Sequence, residues 1–92
     1  MGTQPTGDYI VSGAGTSAVN GTYYENGTYR DKPAYEKEGG GAWIFWNNMA
    51  GSWAMYSNKN VDNMWYYIGG GDTPPTGTWN KSAGASPAPT VS

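Results

Sequence analysis

The aromatic residues of this chain come in short alternating runs, each closed by a cluster of glycine, asparagine or proline. Trp43-Ile44-Phe45-Trp46, Trp53-Ala54-Met55-Tyr56 and Trp65-Tyr66-Tyr67-Ile68 are the longest of them. No stretch carries apolar residues at i, i+3, i+4 and i+7 over three turns, so the pattern excludes a substantial helix. Aromatic and β-branched residues favour a pleated surface, and the intervening Gly, Asn, Asp and Pro supply turn geometry. The expected fold is therefore all-β: a small antiparallel sheet or partly open barrel of about five to seven short strands. The expected strands are Tyr9–Val11, Thr22–Glu25, Ala34–Lys37, Ala42–Asn47, Ser52–Tyr56, Met64–Ile68 and Thr78–Asn80.

Leucine is absent, whereas the 92 residues include 5 Trp, 8 Tyr and 1 Phe. Each buried ring removes roughly 150–250 Å² from water, so a core of rings can replace one of aliphatic side chains. Trp43, Trp53 and Trp65 are the expected core tryptophans. Alternation places Trp43 and Phe45 on one face of their strand, with Ile44 and Trp46 on the other. It likewise separates Trp53 and Met55 from Ser52, Ala54 and Tyr56, and Trp65 and Tyr67 from Met64, Tyr66 and Ile68. Asn47–Gly51 reads as a hairpin loop, so residues 42–68 should form a three-stranded meander. Its two aromatic faces cannot both be core in so small a domain, and one is expected to be partly exposed. Residues 1–8 read as a flexible leader, 9–81 as the single domain, and 82–92 as an extended Pro/Ala/Ser-rich tail or linker between units.

Charge and chemistry narrow the function. Five basic residues (Arg30, Lys32, Lys37, Lys59 and Lys81) are scattered among seven acids, net −2, and form no nucleic-acid stripe. No apolar run approaches the roughly 20 residues of a membrane-spanning helix. The amino terminus has no signal-peptide pattern, and Met1-Gly2 with Thr6 matches only the loose myristoylation signal. Without His or Cys, the usual general base and thiol nucleophile are missing. Most of the carboxylates Asp8, Glu25, Asp31, Glu36, Glu38, Asp62 and Asp72 fall in expected loops or beside lysine, where solvation explains them. Asn60, Asp62, Asn63 and Asp72 have no EF-hand spacing. Gly13-Ala14-Gly15-Thr16-Ser17-Ala18 matches a dinucleotide fingerprint, but Asn20-Gly21 ends any helix that should follow. The chain reads as non-enzymatic, without metal or cofactor.

Three features remain as candidate sites. Trp46, Tyr66, Tyr67 and Trp79 are candidate exposed rings for a ligand or partner surface, suited to sugar rings or Pro-rich peptide. Ile10, Val11, Thr90 and Val91 are candidate contacts between units, because a Val-Ser pair recurs near both ends and isolated strands can template another chain. Asn20-Gly21-Thr22, Asn26-Gly27-Thr28 and Asn80-Lys81-Ser82 are glycosylation sequons. Asn20 and Asn26, placed in tight turns, are expected to accept glycans more readily than Asn80.

Taken in order, several pieces of the chain resemble a short aromatic-rich repeat of algal, oomycete and other protist multidomain proteins. They are Gly13-Ala14-Gly15, Val19-Asn20-Gly21-Thr22-Tyr23, Lys32-Pro33-Ala34-Tyr35-Glu36-Lys37, Trp53, Tyr66-Tyr67, Pro74-Pro75, Gly77-Thr78-Trp79 and Pro87-Ala88-Pro89-Thr90-Val91. The Gly39–Gly41 and Gly69–Gly71 insertions depart from that pattern. The resemblance implies a compact, non-catalytic β module and transfers no site residues. The expected function is one unit of a tandem or polymeric, extracellular or cell-surface assembly whose partners are copies of itself or neighbouring repeats. The alternatives are a carbohydrate-binding module with an exposed Trp/Tyr face and a Pro-rich peptide-binding module.

Overall fold

The computed structural model describes residues 8–29, 32–47, 51–57 and 64–92. Nine strands run through them: β1 (Tyr9–Ser12), β2 (Gly21–Tyr29), β3 (Lys32–Lys37), β4 (Trp43–Asn47), β5 (Ser52–Tyr56), β6 (Tyr66–Ile68), β7 (Gly77–Thr78), β8 (Asn80–Lys81) and β9 (Thr90–Val91). The one helical element among the described residues is a three-residue 3-10 turn, Ser17–Val19. The all-β expectation holds, with nine strands in place of five to seven.

All pairings are antiparallel, in the order β7-β9-β1-β2-β3-β4-β5-β6-β8. The two end strands, β7 and β8, are separated in sequence by Trp79 alone. The sheet therefore curls until its edges meet in one short segment, giving a nearly closed barrel. The expected strand Thr78–Asn80 is in fact this junction. One side of Trp79 pairs with β9 and the other with β6. The Trp79 backbone N–H donates to Pro89 O at 3.0 Å, and its indole N–H donates to Pro75 O at 3.0 Å.

Directly opposed residues in a sheet share a face, so the register sorts the rings. Val11, Tyr23, Tyr35, Ile44, Trp53, Met55, Tyr66, Trp79 and Val91 fill the interior. Opposite them, Ala34, Phe45, Ala54 and Tyr56 form a second buried cluster, rimmed by half-buried Tyr29, Trp43, Met64 and Tyr67. The partly exposed face expected of the meander is this outer one, with only its rim exposed. All five residues of β5 are buried, because the strand has covered rings on both sides. Trp53 is buried as expected. Trp43 and Trp65 are only half-buried: Trp43 stands on the outer rim, and Trp65 precedes β6, where alternation begins.

The Asn26-Gly27 turn signal marks a β-bulge. Asn26 and Gly27 together oppose Ala34, between the pairs Glu25↔Tyr35 and Thr28↔Pro33. Gly27, at φ +83°, supplies the left-handed residue such bulges use. Residues 82–92, expected as a linker, belong to the barrel. They return along it and place β9 between β7 and β1. The return is held by Tyr66, whose hydroxyl donates to Ala85 O at 2.6 Å and accepts from Thr16 N at 3.0 Å. Gly84 lies flat on the same ring, where an added Cβ would stand 2.5 Å from a ring carbon. Of the expected leader, residues 1–7 lie outside the described residues. Asp8 already bonds to the barrel through its N–H, donated to Tyr23 O at 2.8 Å.

Candidate functional site

The four candidate platform rings do not share a surface. Tyr66, at 0% exposure, and Trp79, at 2%, are inside the barrel. Tyr66 opposes Met55 and so points inward with it. Alternation had correctly grouped Tyr66 with Ile68, but only the partner strand reveals which side of β6 is core. Trp46 and Tyr67 are half-buried and belong to opposite faces, Trp46 against the interior cluster and Tyr67 on the outer rim. Trp46 meets Trp53 edge-on, with centroids 5.7 Å apart and planes at 74°. Over the Trp46 ring stands the Lys32 ammonium, 5.1 Å from the centroid and 3.3 Å from Asp72 Oδ1. A cation over an indole face is attracted by the ring quadrupole, so that face already has an occupant. Lys32 and Asp72 are 40 residues apart in sequence, and no local signal could have paired them.

The candidate contacts between units pair with each other within one chain. Val11 opposes Val91 and Ser12 opposes Thr90. One step further, Ile10 and Ser92 exchange both backbone hydrogen bonds at 2.9 Å. Val11 and Val91 are each 1% exposed, so their side chains are core. β1 lies between β9 and β2, and β9 between β7 and β1; neither offers a free edge. Ile10, 48% exposed, and Thr90 remain on the outside.

The three sequon asparagines occupy different environments. Asn20 is half-buried and staples the Gly13–Gly15 loop, its Oδ1 accepting from Ala14 N at 3.0 Å and its Nδ2 donating to Ala14 O at 3.1 Å. Asn26 is exposed on the bulge and donates to Glu36 Oε1 at 2.9 Å. Asn80 is exposed on β8, directly opposite Tyr67. The dinucleotide-like glycines thus sit in a pinned loop. Gly15 N donates to Pro87 O at 2.9 Å, and the following turn spans only three residues.

Of the acidic residues, Glu25, Glu36 and Glu38 gather with Tyr24, Asn26 and Lys37 around an open depression on the β2–β3 pair. The Asp8 carboxylate accepts from the Glu25 N–H. The depression has no enclosing wall to exclude water, and the described residues contain no group of three or more His, Cys, Asp or Glu placed to hold a metal ion. Asp31, Asn60, Asp62 and Asn63 lie outside the described residues. No helix of the described residues is long and apolar enough to cross a membrane.

What sequence reasoning missed is the Tyr66–Thr16–Ala85 clasp. It ties together three segments, with Tyr66 50 residues from Thr16 and Ala85 N bonded to Thr16 Oγ1 across 69 residues at 2.8 Å. With the geometry in hand, comparison adds no relative: no family model, curated protein or solved structure matches this chain.

Proposed function

We propose that the chain is a non-catalytic structural module, one unit of a tandem or polymeric extracellular assembly built from copies of itself or neighbouring repeats. The observation that carries this reading is the Ile10–Ser92 pair: the chain enters the barrel and leaves it at one point, on adjacent strands. A domain whose two ends lie together can be strung into a longer chain without opening its core. The resemblance to a repeat of protist multidomain proteins points the same way. A barrel also leaves few sheet edges to recruit foreign strands, which suits a unit held at high local concentration beside its copies. Joining would then use the continuous chain and outer-surface residues such as Ile10 and Thr90, with Val11 and Val91 spent on the core.

The carbohydrate- and peptide-binding readings needed several rings on one face. The inward Tyr66 and Trp79, and the opposed Trp46 and Tyr67, give them less support. Electron cryomicroscopy of native material, with its mass, tests the proposal. Strings or filaments repeating one barrel per unit are the expected result. A protein that stays monomeric at high concentration and binds a glycan array would overturn it.

A further inference from the structure

The outer aromatic rim raises the question of what, besides water, lies over Tyr67. Its ring is half-buried, packed at the edge of the Ala34–Phe45–Ala54–Tyr56 cluster. Tyr67 opposes Ala54 on one side and Asn80 on the other. Side chains directly opposed in an antiparallel pair stand on one face with Cβ atoms roughly 4.5–5.5 Å apart. Asn80 is thus a directly opposed cross-strand neighbour of a half-buried ring, is itself exposed, and heads the sequon Asn80-Lys81-Ser82. Its amide makes no side-chain hydrogen bond to a described residue, whereas those of Asn20 and Asn26 do.

We propose that Asn80 is an N-glycan acceptor and that the first sugar of its glycan packs over the Tyr67 ring. The aromatic face carries negative charge density, which attracts the weakly positive C–H face of a pyranose. The linkage from Nδ2 starts the sugar on the same side of the sheet. Attachment joins Asn80 Nδ2 to the anomeric carbon of an N-acetylhexosamine supplied as a lipid diphosphate donor. The bond from that carbon to the diphosphate oxygen breaks, the diphosphate leaves with the electron pair, and the amide proton passes to a base of the transferase. Asn20 is the poor acceptor of the set, reversing the expectation from its turn. A glycan there has to open the staple between Asn20 and Ala14 that holds the Gly13–Gly15 loop.

The inference stands apart from the assembly reading, because it concerns a single unit. The full chain is secreted from a eukaryotic cell, its glycopeptides are mapped by mass spectrometry, and its glycans are trimmed to one N-acetylhexosamine. Asn80 is expected to be occupied and Asn20 bare. The trimmed chain should melt about 3–6 °C above Asn80→Gln, a shift typical of one modest contact in a domain this size. In a Tyr67→Thr background that difference should vanish. An upfield-shifted N-acetyl methyl signal with a cross-peak to the Tyr67 ring gives a second readout on the unmutated chain, should Tyr67→Thr fail to fold. An unmodified Asn80, or an occupied Asn80 whose sugar shows no contact with the ring, overturns the proposal. Particle mass of Asn80→Gln reports assembly separately, so either idea can fail without the other.

Discussion

Trp53 and Trp79 are the two largest fully buried side chains among the described residues, and each also spends its indole N–H inside the fold. Trp53 donates to Gly71 O at 3.1 Å and Trp79 to Pro75 O at 3.0 Å. Truncating either to Ala should cost about 3–5 kcal/mol, a large part of the roughly 5–15 kcal/mol that stabilises a small domain. Half-buried Trp65 should cost clearly less than Trp53, although the sequence gives no reason to separate them. Urea unfolding of the three variants measures the order, and equal midpoints for Trp53→Ala and Trp65→Ala would contradict it.

The tyrosines make a second residue-scale prediction. Burial pushes the Tyr23 hydroxyl well above the ordinary tyrosine range, and it donates to Val19 O at 2.8 Å. Tyr35 is pushed up to about 12, first by burial and then by the neighbouring Tyr9, Glu25 and Asp8. Burial moves Tyr56 in the same direction. A raised folded-state value means full stability below the unfolded value of about 10, and loss as pH climbs from there through the folded value. Between those limits the unfolded chain releases protons that folded Tyr23 retains, at about 1.4 kcal/mol per pH unit for that residue. The barrel should therefore lose stability on the alkaline side of pH 10, with unfolding and tyrosinate absorbance rising together. Titration of every tyrosine with one common midpoint near pH 10, without unfolding, would refute the burial argument.

At the scale of elements, alternation correctly sorted the faces of β4 and β5, because both run five residues with large side chains on each side. It failed where strands are two residues long. Gly77-Thr78, Asn80-Lys81 and Thr90-Val91 have too few side chains to show a period. They are strands because neighbours supply their hydrogen bonds. Pro-rich composition concealed the return segment in the same way, since Pro89 is buried and bonded through its carbonyl alone. The return is expected to be structural. Gly84→Ala would drive a methyl into the Tyr66 ring and should cost about 1–3 kcal/mol, as overpacking does. Removing residues 87–92 strips Val91 from Val11 and the Pro89 carbonyl from Trp79. That truncation should open the barrel, seen as faster amide exchange at Ile10 and Trp79, whose N–H groups donate to Ser92 O and Pro89 O, and as red-shifted Trp emission. A truncated chain with unchanged exchange and emission would return the segment to the role of linker.

For the whole molecule, closure is the property that a list of strands could not reveal. The sequence supports an all-β fold with an aromatic core, yet whether the edges meet depends on Trp79 lying between two strands at opposite ends of the order. The candidate site was legible only in part, for the same reason. Residue types picked out Asn80 and Tyr67 separately, while their adjacency is a fact of register.

The Ile10–Ser92 pairing also fixes how the domain would bear tension. Because β1 and β9 run antiparallel and the chain enters and leaves beside that pair, opposed pulling on Tyr9 and Ser92 peels the strands apart from one end. Load falls first on the Ile10–Ser92 bonds, then on Val11 and Val91, then on Ser12 and Thr90. Bonds loaded one at a time yield more easily than bonds sheared together. In a string of such units the seam should part at low force, and each barrel should pay out its length before the string breaks. Force spectroscopy on a concatemer, pulled through its termini, should show weak, regularly spaced extensions, whereas a stiff response with high rupture force would mean the seam is not the first contact to give. A thread made this way would be a shock absorber, stretching in small steps and recovering when slack.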